Sequence, residues 1–404
     1  MWCPGLVEGS LHSPLAVPSS LERLLPMAQL RFGLVGAGGN QVGSARGLSH
    51  ARHLATLDAG QIVAVCDRVA EAAEQAAGRL GAVAYTDYDR FLRHGLDVVI
   101  LATPDVLHAQ QAVEALQRGI AVLSEVPAAT TVEDGRRLAQ AVHRSGGFYM
   151  LLENYGYRDE IELIRRLVQA GKLGDVYFGE GEYLHDCRGL NRFPDGSLTW
   201  RGQYFSGYVY IWHSLRPLLY ILDDRTTRVT AMMTMQPGRL EADIRIPDNV
   251  VSLFQTAGGR LLKIRVDIVS PRPHLMDYYA LQGTKGSFEG SRGFGDPPRI
   301  WLEELEPADR PGRSGPSVSW RRLADFEEEY IPDRVAAREV AKRTGHGGSD
   351  YWTLKAFVEA YRAGNPSPVD VFRALDCSLP GPLVLESARR GGAPVEIPDP
   401  RTFI

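Results

Sequence analysis

Five apolar, strand-like runs separated by helix-like runs occupy residues 30–152, and the first of them feeds straight into a glycine turn. Leu30-Arg31-Phe32-Gly33-Leu34-Val35 reads as a buried strand ending at Gly36-Ala37-Gly38-Gly39, with a helix-forming segment beyond Gly43. Residues 61–66 form the next strand, which stops at Asp67-Arg68, and the alanine-rich run 69–80 supplies a crossover helix. Residues 97–102, 105–118, 120–123, 131–144 and 148–152 continue as strand, helix, strand, helix and strand. Such alternation requires a parallel sheet, because each helix must carry the chain back to the same edge before the next strand starts. The expectation is an α/β fold, with a doubly wound parallel sheet and right-handed crossovers over residues 28–154.

After about residue 155 the pattern changes. A helix at 158–170 precedes strand-like runs at 175–184, 226–235, 250–257, 260–269 and 277–282, joined by short turns such as Gly258-Gly259. Strands this close in sequence predict a largely antiparallel open sheet in an α+β domain over residues 155–404, with helices at 350–363 and 381–390. Pro307 to Pro316 reads as a surface loop. Residues 1–27 lack a basic start and a continuous apolar stretch, and Pro4, Pro14, Pro18 and Pro26 break any helix, so they are not a secretory signal. With Met27 just ahead of the first strand, they read as a flexible extension or an upstream start.

A chain of 404 residues suits two cores better than one. A formal net charge of −4 and the lack of a basic run with interleaved aromatics argue against a nucleic-acid partner. No apolar run reaches the roughly 18 residues needed to span a bilayer, so no membrane partner is expected. Cys3, Cys66, Cys187 and Cys377 lie far apart with no C-x-x-C pair. Neither a disulfide framework nor a zinc ribbon follows, and a reducing cytoplasm fits.

The glycine turn carries the first chemical expectation. Gly36, Gly38 and Gly39 let the backbone approach a pyrophosphate whose charge is met by amides at the helix start. The third glycine of the dinucleotide fingerprint falls on Gln41, and Gly43 replaces it if the turn is longer by two residues. Asp67 ends the second strand, where a carboxylate accepts from both ribose hydroxyls and repels a 2′-phosphate, favouring NAD over NADP. Arg68 beside it stacks on adenine or meets a phosphate, which keeps NADP open. Singly, these residues are equally a tight turn and a helix cap; the strand–turn–helix context joins them into a dinucleotide site.

Thr103, Pro104 and His108 follow the third strand, Glu125-Val126-Pro127 ends the fourth, and Asn154 follows the fifth. Open parallel sheets bind ligands at this edge. Glu125 stands where a nicotinamide amide or ribose is held, and Pro127 stiffens its turn, with a cis bond within reach. His108 alternatively reads as a solvated residue on the first turn of a helix.

The turns Ala102-Thr103-Pro104-Asp105-Val106-Leu107-His108 and Ser124-Glu125-Val126-Pro127 resemble the nicotinamide-site motifs of the Gfo/Idh/MocA sugar oxidoreductases. Most of that family has a lysine where this chain has Val126. Further blocks are Leu152-Glu153-Asn154-Tyr155, Glu182-Tyr183-Leu184-His185-Asp186-Cys187-Arg188, Tyr210-Ile211-Trp212-His213, Leu281-Gln282-Gly283-Thr284-Lys285-Gly286 and Gly345-His346-Gly347-Gly348-Ser349-Asp350. They occur in the same order as in glycoside hydrolase family 109, a lysine-less branch that includes α-N-acetylgalactosaminidases, and the resemblance covers nearly all of residues 28–400. Ile211-Trp212 and Ser214-Leu215-Arg216 stand where the galactosaminidases have Pro-Thr and Gly-Leu-Gly, and Ser349 where they have methionine. Substrate identity therefore does not carry over.

The resemblance implies tightly held NAD and a redox-assisted hydrolysis of a carbohydrate. A base takes the proton of the sugar 3-hydroxyl while hydride leaves carbon 3 for the nicotinamide, and the ketone acidifies the hydrogen on carbon 2. Elimination at carbon 1, water addition and hydride return complete the cycle. Without the lysine, the proton carriers left are His213, Tyr210, Tyr183 and His185. His213 is expected as the base at the 3-hydroxyl, with Tyr183 or Tyr278 near the carbon 2 proton. Asp186, Arg188 and His346 are expected to contact substrate. Read without the resemblance, Tyr210 and Trp212 are core residues and His213 a helix cap. His185-Asp186-Cys187 suggests a metal, but adjacent strand residues point to alternate faces, so no metal is expected. Homo-oligomers are usual among such proteins. Two alternatives stay open: a sugar or cyclitol dehydrogenase with net NAD reduction, and a non-catalytic dinucleotide-binding module.

Overall fold

A computed structural model describes residues 29–38, 45–204, 207–234, 247–271, 276–293, 295–306 and 320–404. The expected extension 1–27, Gly39, Gln41, Gly43 and the loop Pro307 to Pro316 lie outside the described residues.

The first sheet is formed by β1 (Leu30–Val35), β2 (Gly60–Cys66), β3 (Val83–Tyr85), β4 (Val98–Leu101), β5 (Ala121–Ser124) and β6 (Tyr149–Leu151). Its order is β3-β2-β1-β4-β5-β6, and every pairing is parallel. The order reverses between β1 and β4, so their carboxyl ends lie side by side and leave a crevice, where sheets of this kind bind ligands. Continuous burial along β4 and β5 matches strands covered on both faces. Local chemistry sets the helix bounds. Thr131 caps the helix Val132–Ser145 by accepting from Asp134 N, and Gly146 ends it in the left-handed region.

The second sheet contains β7 (Val176–Leu184), β8 (Thr226–Met233), β9 (Asn249–Thr256), β10 (Leu261–Asp267), β11 (Asp277–Gly283), β12 (Gly286–Glu289), β13 (Arg299–Leu302), β14 (Arg321–Arg322) and β15 (Val395–Glu396). Its order is β14-β13-β12-β11-β7-β10-β9-β8-β15, antiparallel except where β10 runs parallel to β7. The short strands β3 and β12 to β15 have no sequence run long enough to announce them. His185-Asp186-Cys187 lies beyond the end of β7, not within the strand expected to hold it.

Helix Trp212–Leu222 packs on β7 and β11. Gly181 permits this, because a Cβ there would stand 2.3 Å from the Ser214 carbonyl oxygen. The Tyr279 hydroxyl, from β11, donates to the His213 carbonyl at 2.5 Å. The first turn of the helix is thereby fixed against the sheet, facing the end of the first sheet. Buried apolar residues of both sheets and their helices form one continuous cluster.

Candidate active site

Gly36 leaves β1 at φ +94°, and a Cβ there would lie 2.3 Å from the Ala102 carbonyl oxygen. Only glycine lets the turns after β1 and β4 touch. Asp67 is buried and accepts from Ala37 N at 2.8 Å and from Val69 N at 2.9 Å, bracing the glycine turn and the next helix start together. Between these turns lies a cavity of about 300 Å³, bordered by Gly36, Gly38, Asp67, Arg68, Thr103 and Pro104. Val106 and Leu107, exposed apolar side chains, form its outer wall. These features fit a dinucleotide: bare backbone for the pyrophosphate, a carboxylate at the end of β2 for ribose and an apolar wall for adenine.

A second cavity of about 240 Å³ continues from the first, with Ala102, Thr103 and Trp200 bordering both. It brings together His108, Glu125 and Asn154 from the sheet edge with Tyr183, His185, Tyr210, His213 and His346. The sequence reading gives the first three to the cofactor edge, the next four to proton transfer and His346 to the substrate; the structure places all eight around one cavity.

At the near wall, the Val126–Pro127 bond is cis and Val126 is buried. Arg46 Nε donates to Glu125 Oε1 at 2.9 Å, and His50 Nε2 meets the same oxygen at 2.5 Å. Burial works to raise the Glu125 carboxyl, but the Arg46 charge and the His50 hydrogen bond outweigh it and hold the group well below the usual carboxylate range. His108 is buried, not solvated. Its Nδ1 meets the Pro127 carbonyl at 2.9 Å and its Nε2 the Thr103 carbonyl at 2.8 Å, tying the two cofactor-edge turns together.

At the far wall, His213 Nδ1 meets Glu153 Oε1 at 2.8 Å. Glu153 is fully buried and also accepts from the backbone of Tyr155 and Gly156, each at 3.0 Å. The carboxylate claims the Nδ1 proton, which leaves Nε2 with a lone pair, 3.2 Å from the Tyr210 hydroxyl. Tyr155 stacks on the His213 ring with centroids 4.2 Å apart. Beside it, the Tyr183 hydroxyl is 3.0 Å from His185 Nδ1. Burial pushes Tyr183 and Tyr210 above the ordinary phenol range, so both are neutral hydroxyl donors near pH 7. This geometry suits removal of a hydroxyl proton at His213 Nε2, with a second relay at Tyr183 and His185.

Asp350 joins the walls. It accepts from Arg46 at 3.0 and 3.2 Å and from Asn154 Nδ2 at 2.7 Å, and lies 3.0 Å from His346 Nδ1. Burial would raise its carboxyl, but His346 and Arg46 hold it far below the usual range.

Three expected substrate contacts lie elsewhere. Asp186 and Arg188 pair with each other at 2.8 and 2.6 Å and do not line this cavity. Tyr278 pairs in register with Glu182, the neighbour of Tyr183, so the two-residue period of a strand turns it to the opposite face. There Arg292 stacks on its ring at 3.5 Å. The cavity also holds residues not anticipated: Arg46, Asp105, Tyr155, Trp200, Arg201 and Met276. Tyr155 stood in a quoted block; Arg46 had no local signal. Among the described residues no cluster of His, Cys, Asp or Glu is arranged to hold a metal ion, and no helix is long and apolar enough to cross a membrane.

Residues 30–152 match the oxidoreductase family with an NAD-binding Rossmann fold, and residues 225–402 match the C-terminal domain of glycosyl hydrolase 109. NAD is thus the cofactor of this fold. A glycosyl hydrolase family 109 protein of Saccharopolyspora erythraea is 31% identical over 406 residues, 92% of this chain and 83% of the relative. An alpha-N-acetylgalactosaminidase of Tannerella forsythia is 26% identical, covering 92% of this chain and 86% of that protein. Among solved structures, the WlbA dehydrogenase of Bordetella pertussis, in complex with NADH and UDP-GlcNAcA, superposes with a TM-score of 0.68 at 21% identity, covering 92% of this chain and 98% of that one. The site built from both sheets and the near full-length match agree: the chain belongs to glycosyl hydrolase family 109.

Proposed function

We propose that this protein hydrolyses a glycoside by redox-neutral chemistry centred on carbon 3 of the sugar. The observation that carries the reading is His213, held by buried Glu153, in a cavity continuous with the dinucleotide crevice and walled by Val126. Bound NAD supplies a reversible hydride acceptor at carbon 3. Gly36, Gly38, Asp67 and Thr103, which line the first cavity, would hold it, and Glu125 and Asn154, which line the second, would meet its nicotinamide.

The residues of the chain manage the protons. His213 Nε2 takes the proton of the 3-hydroxyl, and Glu153 keeps the other ring nitrogen protonated and steadies the imidazolium that forms. Once carbon 3 is a carbonyl, the hydrogen on carbon 2 is acidic. Tyr183 receives it while passing its own hydroxyl proton to His185. Tyr210 orients the sugar hydroxyl at His213, and His346 contacts the substrate from the Asp350 side. The enzyme works as a homo-oligomer. Met232, Val251, Leu253 and Leu261, exposed apolar side chains of the second sheet, form a face that a second copy would cover.

A panel of nitrophenyl glycosides, followed for both nitrophenol and NADH with and without added NAD, tests the reading. Nitrophenol release without NADH supports it. NADH rising with consumed sugar makes the protein a dehydrogenase, and inactivity toward every sugar returns it to a dinucleotide-binding module.

A further inference from the structure

Helix Trp212–Leu222 presents His213 on its first turn and Arg216 one turn later. Arg216 is only 3% exposed. Its guanidinium stacks on Tyr220, 4.6 Å from the ring centroid, and its Nε has no hydrogen-bond partner. Among the described residues, no carboxylate pairs with it. Arginine keeps its charge at any physiological pH, and a buried cation without a partner is costly.

Arg216, Leu219 and Tyr220 recur at helical spacing, so one face of the helix, continued by its cap residue Asp223, forms a wall of a cavity of about 260 Å³. This cavity shares no lining residue with the substrate cavity. Every other charge on its wall is matched. Asp223 pairs with Arg373 at 3.0 Å, Asp224 with Arg260 at 2.6 Å, and Arg225 with Asp399 at 3.3 Å. Asp376 takes Arg401 through both oxygens, at 2.9 and 2.8 Å. Arg216 is therefore the guanidinium of this wall without a direct ion pair: the buried carboxylate beside it, Glu153, is committed to His213 and to the Tyr155 and Gly156 amides, and the cavity it lines is several times the roughly 30 Å³ share of one water.

We infer that this cavity is a binding site for a small oxyanion, a phosphate or a short carboxylate, held on Arg216. A planar fork of N–H donors takes two oxygens of such a group at once, and the anion supplies the direct ion pair that Arg216 lacks. Arg373 and Arg401, half-exposed on the same wall, add positive field at the entrance. Through Arg216 the site adjoins the proton-accepting pair. A Cβ built on Gly156 would be 3.3 Å from Arg216 Nη1 and 3.5 Å from Glu153 Oε2. An anion bound on Arg216 therefore lies near the carboxylate that holds His213.

Calorimetric titration of the NAD-saturated full chain tests this, since bound NAD occupies the pyrophosphate turn that would otherwise take phosphate. Inorganic phosphate and succinate are titrated separately at constant ionic strength, which identifies the kind of oxyanion. The same titrations are run on Arg216→Met and on Ala257→Trp; the second narrows the exposed mouth and leaves Arg216 in place. Saturable one-site binding of either anion, weakened at least tenfold by either substitution, is the expected result. No saturation with either anion, or binding unchanged in both variants, overturns the assignment.

Discussion

His213 and Glu153 are 60 residues apart in sequence, yet their side chains meet at 2.8 Å, one on the first turn of a helix packed on β7, the other just after β6. The contact joins the two sheets at the proposed reaction centre and gives the imidazole one defined tautomer. Glu153→Gln keeps the shape but offers an amide that either donates to or weakly accepts from Nδ1. We expect kcat to fall by about 10²–10⁴, with little change in KM, since tautomer control acts on the proton-transfer step. Steady-state kinetics beside a circular dichroism spectrum check this; a loss confined to KM would contradict it.

His213→Ala removes the base itself. Turnover should fall by about 10²–10⁴ while NAD affinity, read by protein fluorescence, stays that of the wild type. Wild-type turnover in this variant would move the base to another residue around the Glu125 turn.

Asp67 both braces the glycine turn and faces the dinucleotide cavity. Asp67→Ser should weaken NAD about tenfold, or roughly 1.4 kcal/mol, and narrow its advantage over NADP as the repulsion of a 2′-phosphate disappears. Titration with both dinucleotides measures the ratio.

Asp350 links acidity to stability. Its carboxyl is held far below the usual range by His346 and Arg46 against the effect of burial, so its folded pKa lies beneath an unfolded value near 3.9. The sign is that of a depressed acid: the stabilisation is fully present above the unfolded pKa and is lost as pH falls through that value toward the folded one. Urea unfolding should show stability dropping between about pH 5 and pH 3, with a shallower drop in Asp350→Asn. At pH 7 the substitution should cost about 3 kcal/mol, because Arg46 loses a buried counter-charge while Asn154 keeps an acceptor.

The parallel sheet was readable because each strand and helix declares itself locally, through apolar runs, the Thr131 cap and glycine at the turn. The members of the cavity were readable as far as they lay in short blocks beside strand ends. Arg46 was not, because its partners lie 79 and 304 residues away and a lone arginine at a helix start resembles any solvated cation. Tyr278 went astray for a different reason. Its face depends on the register of β11 against β7, which neither strand encodes by itself. Asp186 and Arg188 satisfy each other across two residues, a local pairing that mimics a binding motif in sequence.

The central claim is that hydride leaves and returns within one turnover while the carbon 2 hydrogen is exchanged. Hydrolysis of an active nitrophenyl glycoside in deuterated water, followed by NMR of the released sugar, reads this directly. Deuterium at carbon 2 with no accumulation of NADH is the expected result. A released sugar with no deuterium at carbon 2, or NADH formed in proportion to product, would contradict it.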